Sequence, residues 1–135
     1  GMMDEADPRF LEELTQIPQR HRKPVWVDVH HLRVQKIGAA LHIDLHLTLP
    51  WYMVLEDAEA EVDHLRALVR KDLPERQMEF SIHTDPCLPP HACQSCRLAS
   101  CFARQSAFEE TVPWTTQNLI RNQRHHLKIR RANLD

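Results

Sequence analysis

The sequence predicts an α+β fold in which helices cover one face of a small three-stranded sheet. Three observations predict it. Residues 10–17 and 54–70 carry apolar side chains at helical spacing, whereas segments opening at Val25, Leu41 and Met78 alternate apolar and polar residues. The segments follow one another as helix, strand, strand, helix, strand, and that order segregates helices to one side of a sheet. A length of 135 residues suits one domain with a short appendage.

The first helix rests on Phe10, Leu11, Leu14 and Ile17, and Pro18 with the basic run Arg20-His21-Arg22-Lys23-Pro24 is expected to break it. From Val25 the period becomes two, with Val25, Val27 and Val29 on the apolar side against Trp26, Asp28 and His30. Leu32 and Val34 continue the apolar side only after a phase slip at His30-His31, which predicts a bulge. Gly38 marks the turn into a second strand, where Leu41, Ile43, Leu45 and Leu47 oppose His42, Asp44, His46 and Thr48, so the two strands form a hairpin. The second helix places Leu55, Ala58, Val62, Leu65, Leu68 and Val69 on one face. Its acidic start (Glu56, Asp57) and basic end (Arg70, Lys71) match the helix dipole. Met78, Phe80 and Ile82 then alternate with Glu79, Ser81 and His83 in a third strand ending at Asp85-Pro86. Beyond Cys87 periodicity is lost until residues 114–131, a basic helix or tail.

Composition excludes several functions. A net charge of -2 offers no global attraction to nucleic acid or anionic lipid, and two glycines leave no phosphate-cradling loop. The start is acidic and polar, unlike a signal peptide, and Gly1-Met2 reads as a tag remnant ahead of a native methionine. The longest weakly charged stretch, residues 37–55, contains His42, Asp44, His46 and Pro50, so no direct membrane insertion is expected and the chain reads as soluble and cytoplasmic. No nucleophile-plus-base pattern or H-E-x-x-H motif points to an enzyme.

The specific chemistry is concentrated in His83-Thr84-Asp85-Pro86-Cys87, followed by His91, Cys93, Cys96 and Cys101. All four cysteines fall within fifteen residues, spaced C-x5-C-x2-C-x4-C. Clustered thiols in a reducing compartment are more often metal ligands than disulfides, and a C-x2-C turn suits tetrahedral zinc. A thioredoxin-like role fits less well, because Cys93 and Cys96 sit in a Pro-rich stretch and not between a strand and its helix. His42 and His46 leave the polar side of the second strand, His83 that of the third, and His30 or His31 that of the first. Taken singly each is a solvated strand residue; as a set converging on Asp85 and Cys87 they read as metal ligands. His125-His126 are expected to be solvent-exposed, with His21 and His64 also on the surface.

These residues resemble the C-terminal cytoplasmic domain of cation diffusion facilitator (cation efflux) transporters. The resemblance rests on Val29-His30-His31-Leu32-Arg33-Val34, on Leu41-His42-Ile43-Asp44-Leu45-His46-Leu47, and on the H-x-D-P-C run at 83–87, and it covers roughly residues 10–87. Clustered cysteines, Glu109-Glu110 and Trp114-Thr115-Thr116-x-Asn118 look like an extension carried by some members. The resemblance implies a ferredoxin-like, metallochaperone-like (α)ββαβ sandwich that pairs as a homodimer. It implies zinc or a related cation (iron, cobalt or manganese) bound so as to draw two cytoplasmic domains together and regulate the membrane domain of the same transporter.

Carried over by position, the family's ligands fall on His30, His46, His83, Asp85 and Cys87. The helix histidine that many members place four residues before an aspartate is Glu59 here, ahead of Asp63. The chain accordingly divides into a linker and first helix (1–24), a ferredoxin-like metal-binding regulatory domain (25–87), and a cysteine-rich extension with a basic tail (88–135). Cys87, Cys93, Cys96 and Cys101 are candidates for a separate thiolate site. The expected function is a metal-sensing and dimerisation domain of a zinc-type exporter, the alternative a free-standing metal chaperone or buffer. A zinc-stabilised nucleic-acid-binding module is disfavoured, since the basic run 121–131 has no interleaved aromatics.

Overall fold

The first helix starts where the sequence supplies a cap: the Asp7 carboxylate accepts the Arg9 N–H at 2.8 Å and Pro8 occupies the first turn, where no donor is needed. The computed structural model describes residues 4–5, 7–125 and 127. Helix α1 spans Pro8–Arg20 and buries Phe10, Leu14 and Ile17. Pro18 does not end it. The missing N–H costs one bond near the C-terminus, the ring itself is buried, and the last turn closes with His21 N–H donating to the Ile17 carbonyl at 3.1 Å.

Strand β1 (Asp4–Glu5) pairs with the far end of β2 (Asp28–Ile37), which is antiparallel to β3 (Ala40–Leu49). Helix α2 (Leu55–Asp72) crosses over to β4 (Met78–Pro86), which therefore lies parallel to β3. The sheet order is β1-β2-β3-β4. Its three long strands are those expected, while two-residue β1 is too short to leave a periodic signal. The hairpin turns at Gly38, whose φ of +61° is the left-handed region. An added Cβ there would meet nothing within 4 Å, so Gly38→Ala is expected to cost only the backbone strain, about 1 kcal/mol. The urea midpoint measures it; an unchanged midpoint would show that the turn relaxes.

One face of the sheet carries Val29, Leu32, Val34, Leu41, Ile43, Leu45 and Leu47, all buried against α1 and against Leu65 and Val69 of α2. Leu55, counted on the inner face of α2 from the sequence, is instead 75% exposed at its first turn. Trp26 also differs from expectation. A turn at Pro24-Val25 delays the strand to Asp28, so Trp26 enters the core and donates its indole N–H to Glu61 at 2.8 Å. Lys23 meets the same carboxylate at 2.6 Å.

Past β4 the chain forms a short 3-10 turn (His91–Ser95) and then an irregular excursion. It returns to α1, where Gln19 Oε1 accepts the Trp114 N–H at 2.8 Å and the Arg22 guanidinium stacks 3.7 Å from the Trp114 ring centre. Trp114 and Leu119 complete the main core. Of the helix expected over 114–131, α3 (Thr116–Leu119) forms, started by a Thr115 side-chain cap. Residues 121–125 then run back along β2 because their polar groups bond to it, as described next; residues 126 and 128–131 of that expectation lie outside the described residues. No described helix is long and apolar enough to cross a membrane.

Candidate metal centre

Register brings the histidines together. His30, His46 and His83 occupy one row across β2, β3 and β4, and Asp85 sits opposite Thr48 one side-chain step further along. A strand period of two puts all of them on the polar face. Ring centroids are 5.1 Å apart for His30 and His46 and 5.2 Å for His46 and His83. The expected bulge lies between His30 and Arg33, with His31 at φ 56°. The extra residue lets two consecutive histidines share a face, so the His31 ring lies 5.0 Å from His46. It also turns the His31 N–H away from β3, to donate to the Arg121 carbonyl at 2.6 Å. Asn122 Oδ1 faces His31 Nδ1 at 3.1 Å and accepts from Arg33. The bulge thus anchors the extension.

Three ligand atoms converge. Asp85 Oδ2 lies 3.4 Å from His30 Nε2 and 3.3 Å from His46 Nδ1, and His30, His46 and Asp85 present ligand atoms all within 4.8 Å of one another. Zinc–nitrogen and zinc–oxygen bonds of about 2.0–2.2 Å give tetrahedral edges of about 3.3–3.5 Å. The two contacts to Asp85 match that edge. Thr48 donates to the other carboxylate oxygen, Oδ1, at 2.5 Å and leaves Oδ2 to the imidazoles. Three protein ligands leave a fourth position open.

The electrostatics follow from burial and neighbours. Burial alone would push the His30 imidazole down, but the Asp28 and Asp85 carboxylates outweigh it and hold it up at about 9. Burial would raise Asp85, yet hydrogen bonds from His30 and Thr48, with the charges of His30 and Arg124, bring it to about 2. His46 is pushed down by desolvation, reinforced by His30 and His31. Arg124 Nη2 is 3.7 Å from Asp85 Oδ1, and its Nη1 donates to the Pro86 carbonyl at 2.6 Å.

His30 Nδ1 is buried without a hydrogen bond, 3.5 Å from Asp28 Oδ2. A metal-bound histidine orients its remote nitrogen toward a carboxylate in this way. The donor set and this unsatisfied atom fit a divalent cation of the zinc type. Asp28 is itself held by the extension: its carboxylate accepts the His125 backbone N–H at 2.8 Å and lies 2.6 Å from His125 Nδ1. His125 is therefore buried, contrary to the exposure expected for a basic tail, because Asp28 offers it a charged partner inside the fold. His126 lies outside the described residues. A cavity of about 440 Å³, bordered by His30, Thr48, His91 and Gln123, opens beside the site.

Other candidates are placed differently. His83 is exposed at the rim of the row. His42 stands at the opposite end of the strands, 3.7 Å from Glu79. Glu59 is exposed on α2, as is Asp63, which pairs with Arg66 at 2.9 Å. Cys87 turns away from the histidine row to line a separate small cavity with Cys93, Cys96 and Cys101. Asp28, Thr48 and Arg124 escaped the sequence reading. For Asp28 and Thr48 the available signal was their place on the polar strand side; for Arg124 there was none, since its approach depends on how the extension folds back.

Residues 6–87 match the family model for the cytoplasmic domain of cation efflux proteins. A solved structure of CzrB, there named as a candidate zinc transporter, superposes with a TM-score of 0.55 at 20% identity, covering 62% of this chain and 99% of that one. The metal-bound C-terminal domain of the CzcD transporter from Thermotoga maritima gives 0.50 at 19% identity, covering 60% and 94%. At such identities the likeness is one of fold, and it agrees with the α+β architecture. No curated protein matches the chain.

Proposed function

The chain belongs to the cation efflux family, of which residues 6–87 form the cytoplasmic domain, and from that premise we propose that it senses a divalent metal as a homodimer, metal binding favouring a closed state that controls transport. The observation that carries this reading is the convergence of His30, His46 and Asp85 on one point of the polar face. The cation is regulator and cargo, zinc fitting the mixed imidazole and carboxylate set, with iron, cobalt and manganese as related candidates. His83, exposed at the rim with its ring 5.2 Å from that of His46, is the candidate to complete the set when the site closes.

The mechanism is a population shift. Three ligands from one protomer bind metal incompletely; a closed homodimer that supplies or repositions a fourth binds it better. Only that difference in affinity moves the equilibrium, and a cation bound equally in both states would move nothing. Closure is then transmitted to the membrane domain of the transporter.

Small-angle scattering tests it. Adding zinc to the full chain is expected to compact a dimer, and the double variant His30→Ala, Asp85→Ala is expected to abolish the change. An identical scattering curve with and without bound zinc in the wild type would defeat the sensing reading.

A further inference from the structure

The four cysteines have no part in the histidine row, yet they are not scattered. Cys87 lies just past β4, Cys93 and Cys96 flank the end of the 3-10 turn, and Cys101 lies in the loop beyond. The fold returns all four to one cavity of about 20 Å³, walled otherwise by Trp51, Pro89 and Ala92 among apolar groups. That is room for one ion and for no organic ligand. Cys93 and Cys96 are buried, Cys87 and Cys101 half-buried, and none is paired in a disulfide.

Burial, with the neighbouring sulfurs, pushes the Cys87 and Cys96 thiols up, so a bound cation is what would draw off their protons. Fixed donors are already aimed at three of the sulfurs. The Trp51 N–H reaches the Cys87 sulfur, and the Leu98 N–H, two residues on, reaches that of Cys96. Tyr52 donates its hydroxyl to Cys101 Sγ at 3.3 Å. A neutral thiol is a weak acceptor, whereas a thiolate gains from each such donor. Arg104 adds a cation beside Cys96 and fastens the loop, its guanidinium donating to the carbonyls of Cys93, Cys96, Leu98 and Ser106 at 2.7–3.1 Å. His91 borders the larger cavity beside His30 and does not line this one.

We propose that Cys87, Cys93, Cys96 and Cys101 form a second, closed metal site that binds one zinc-type ion through four thiolates and staples the extension to the end of β4. The ligand set is soft and complete, so the ion has no open position and its role is structural. Binding deprotonates four thiols, and four protons leave to solvent for each divalent ion taken up. No three of the sulfurs meet the 4.8 Å spacing of the histidine site, so ligation draws the 91–101 loop inward toward tetrahedral sulfur spacings of about 3.8 Å. Because β4 also carries Asp85, the ion fixes the extension beside the sensing site without sharing a ligand with it.

Cobalt(II) titration of the reduced full chain tests the site. The wild type is expected to develop the intense near-ultraviolet and visible bands of tetrahedral tetrathiolate cobalt, and to hold two zinc ions per chain by metal analysis. The double variant Cys93→Ser, Cys96→Ser should lose those bands and one zinc. Cys87→Ser alone should shift and weaken the bands. His30→Ala with Asp85→Ala should keep them, so failure of this site and failure of the sensing site are distinguishable. Since a serine variant could simply misfold, the wild type provides an independent measurement: zinc should protect four thiols from a disulfide reagent, and a chelator should expose them. Four thiols that react equally with and without zinc, or bands unaffected by loss of Cys93 and Cys96, would overturn the assignment; bands indifferent to Cys87→Ser would overturn the four-thiolate set.

Discussion

Asp28→Ala is expected to destabilise the folded chain by about 3–5 kcal/mol, the range for removing one partner of a buried charged pair. Asp28 is 6% exposed and serves two segments distant in sequence. It accepts the His125 backbone N–H at 2.8 Å, faces His125 Nδ1 at 2.6 Å and lies 3.5 Å from His30 Nδ1. Alanine would strand the His125 N–H and ring nitrogen in a buried site and release one of the two carboxylate contacts described for residues 121–125, the other being Arg124 with Asp85. Burial would raise the Asp28 carboxyl, but its hydrogen bonds from His125 and the nearby His30 imidazole hold it below the usual carboxylate range. Its folded value is depressed, so its contribution is present above the unfolded value of about 3.9 and is lost as pH falls through the folded one. Chemical denaturation at neutral and acid pH measures both effects. A loss under 1 kcal/mol at neutral pH would remove Asp28 from this structural role.

Zinc affinity at the histidine site is expected to rise about tenfold per pH unit from neutrality to about 9, roughly a hundredfold in all. The slope counts protons released on binding. Asp85, at about 2, is already ionised. His46, pushed down by desolvation, is already neutral. His30 keeps its proton up to about 9 because Asp28 and Asp85 outweigh its burial, so one proton must leave its imidazole for each ion bound. In the metal-free chain the sign is reversed. A raised folded value stabilises fully below the unfolded histidine value of about 6.5, and the contribution disappears as pH rises through about 9. The zinc-dependent increase in melting temperature should therefore grow over that window. Calorimetry in buffers of different ionisation enthalpy, on the Cys93→Ser, Cys96→Ser background, reads the proton count directly. An affinity flat from neutrality to about 9 would show that His30 is not the ligand that titrates.

How far the site could be read in advance depended on which interactions were local. The alternation of residues 41–48 placed His42 and His46 on the polar side without any knowledge of the neighbours. The slip at His30-His31 announced the bulge, because only an extra residue restores Leu32 and Val34 to the apolar face. Alternation could not say which histidine on a strand would meet which on the next. That required the register, which aligns His46 with His30 and His83 and leaves His42 beside Glu79. Trp26 was assigned to the wrong side because the turn ahead of Asp28 breaks the period it was counted in.

The sequence by itself determined the order of elements, the polar face that carries the histidines, and the clustering of four thiols within fifteen residues. Each of these is a property of neighbours along the chain, expressed through a period of 2 or 3.6 or through close spacing. Only the tertiary structure decided that Cys87 joins the other cysteines while Asp85, two residues earlier, joins the histidines. The strand ends at Pro86, so alternation no longer constrains where Cys87 points. Only the tertiary structure, too, buried His125 against Asp28, ninety-seven residues away. A tail rich in Arg and His reads as solvated until a buried carboxylate is brought to it, and chain folding alone supplies that partner.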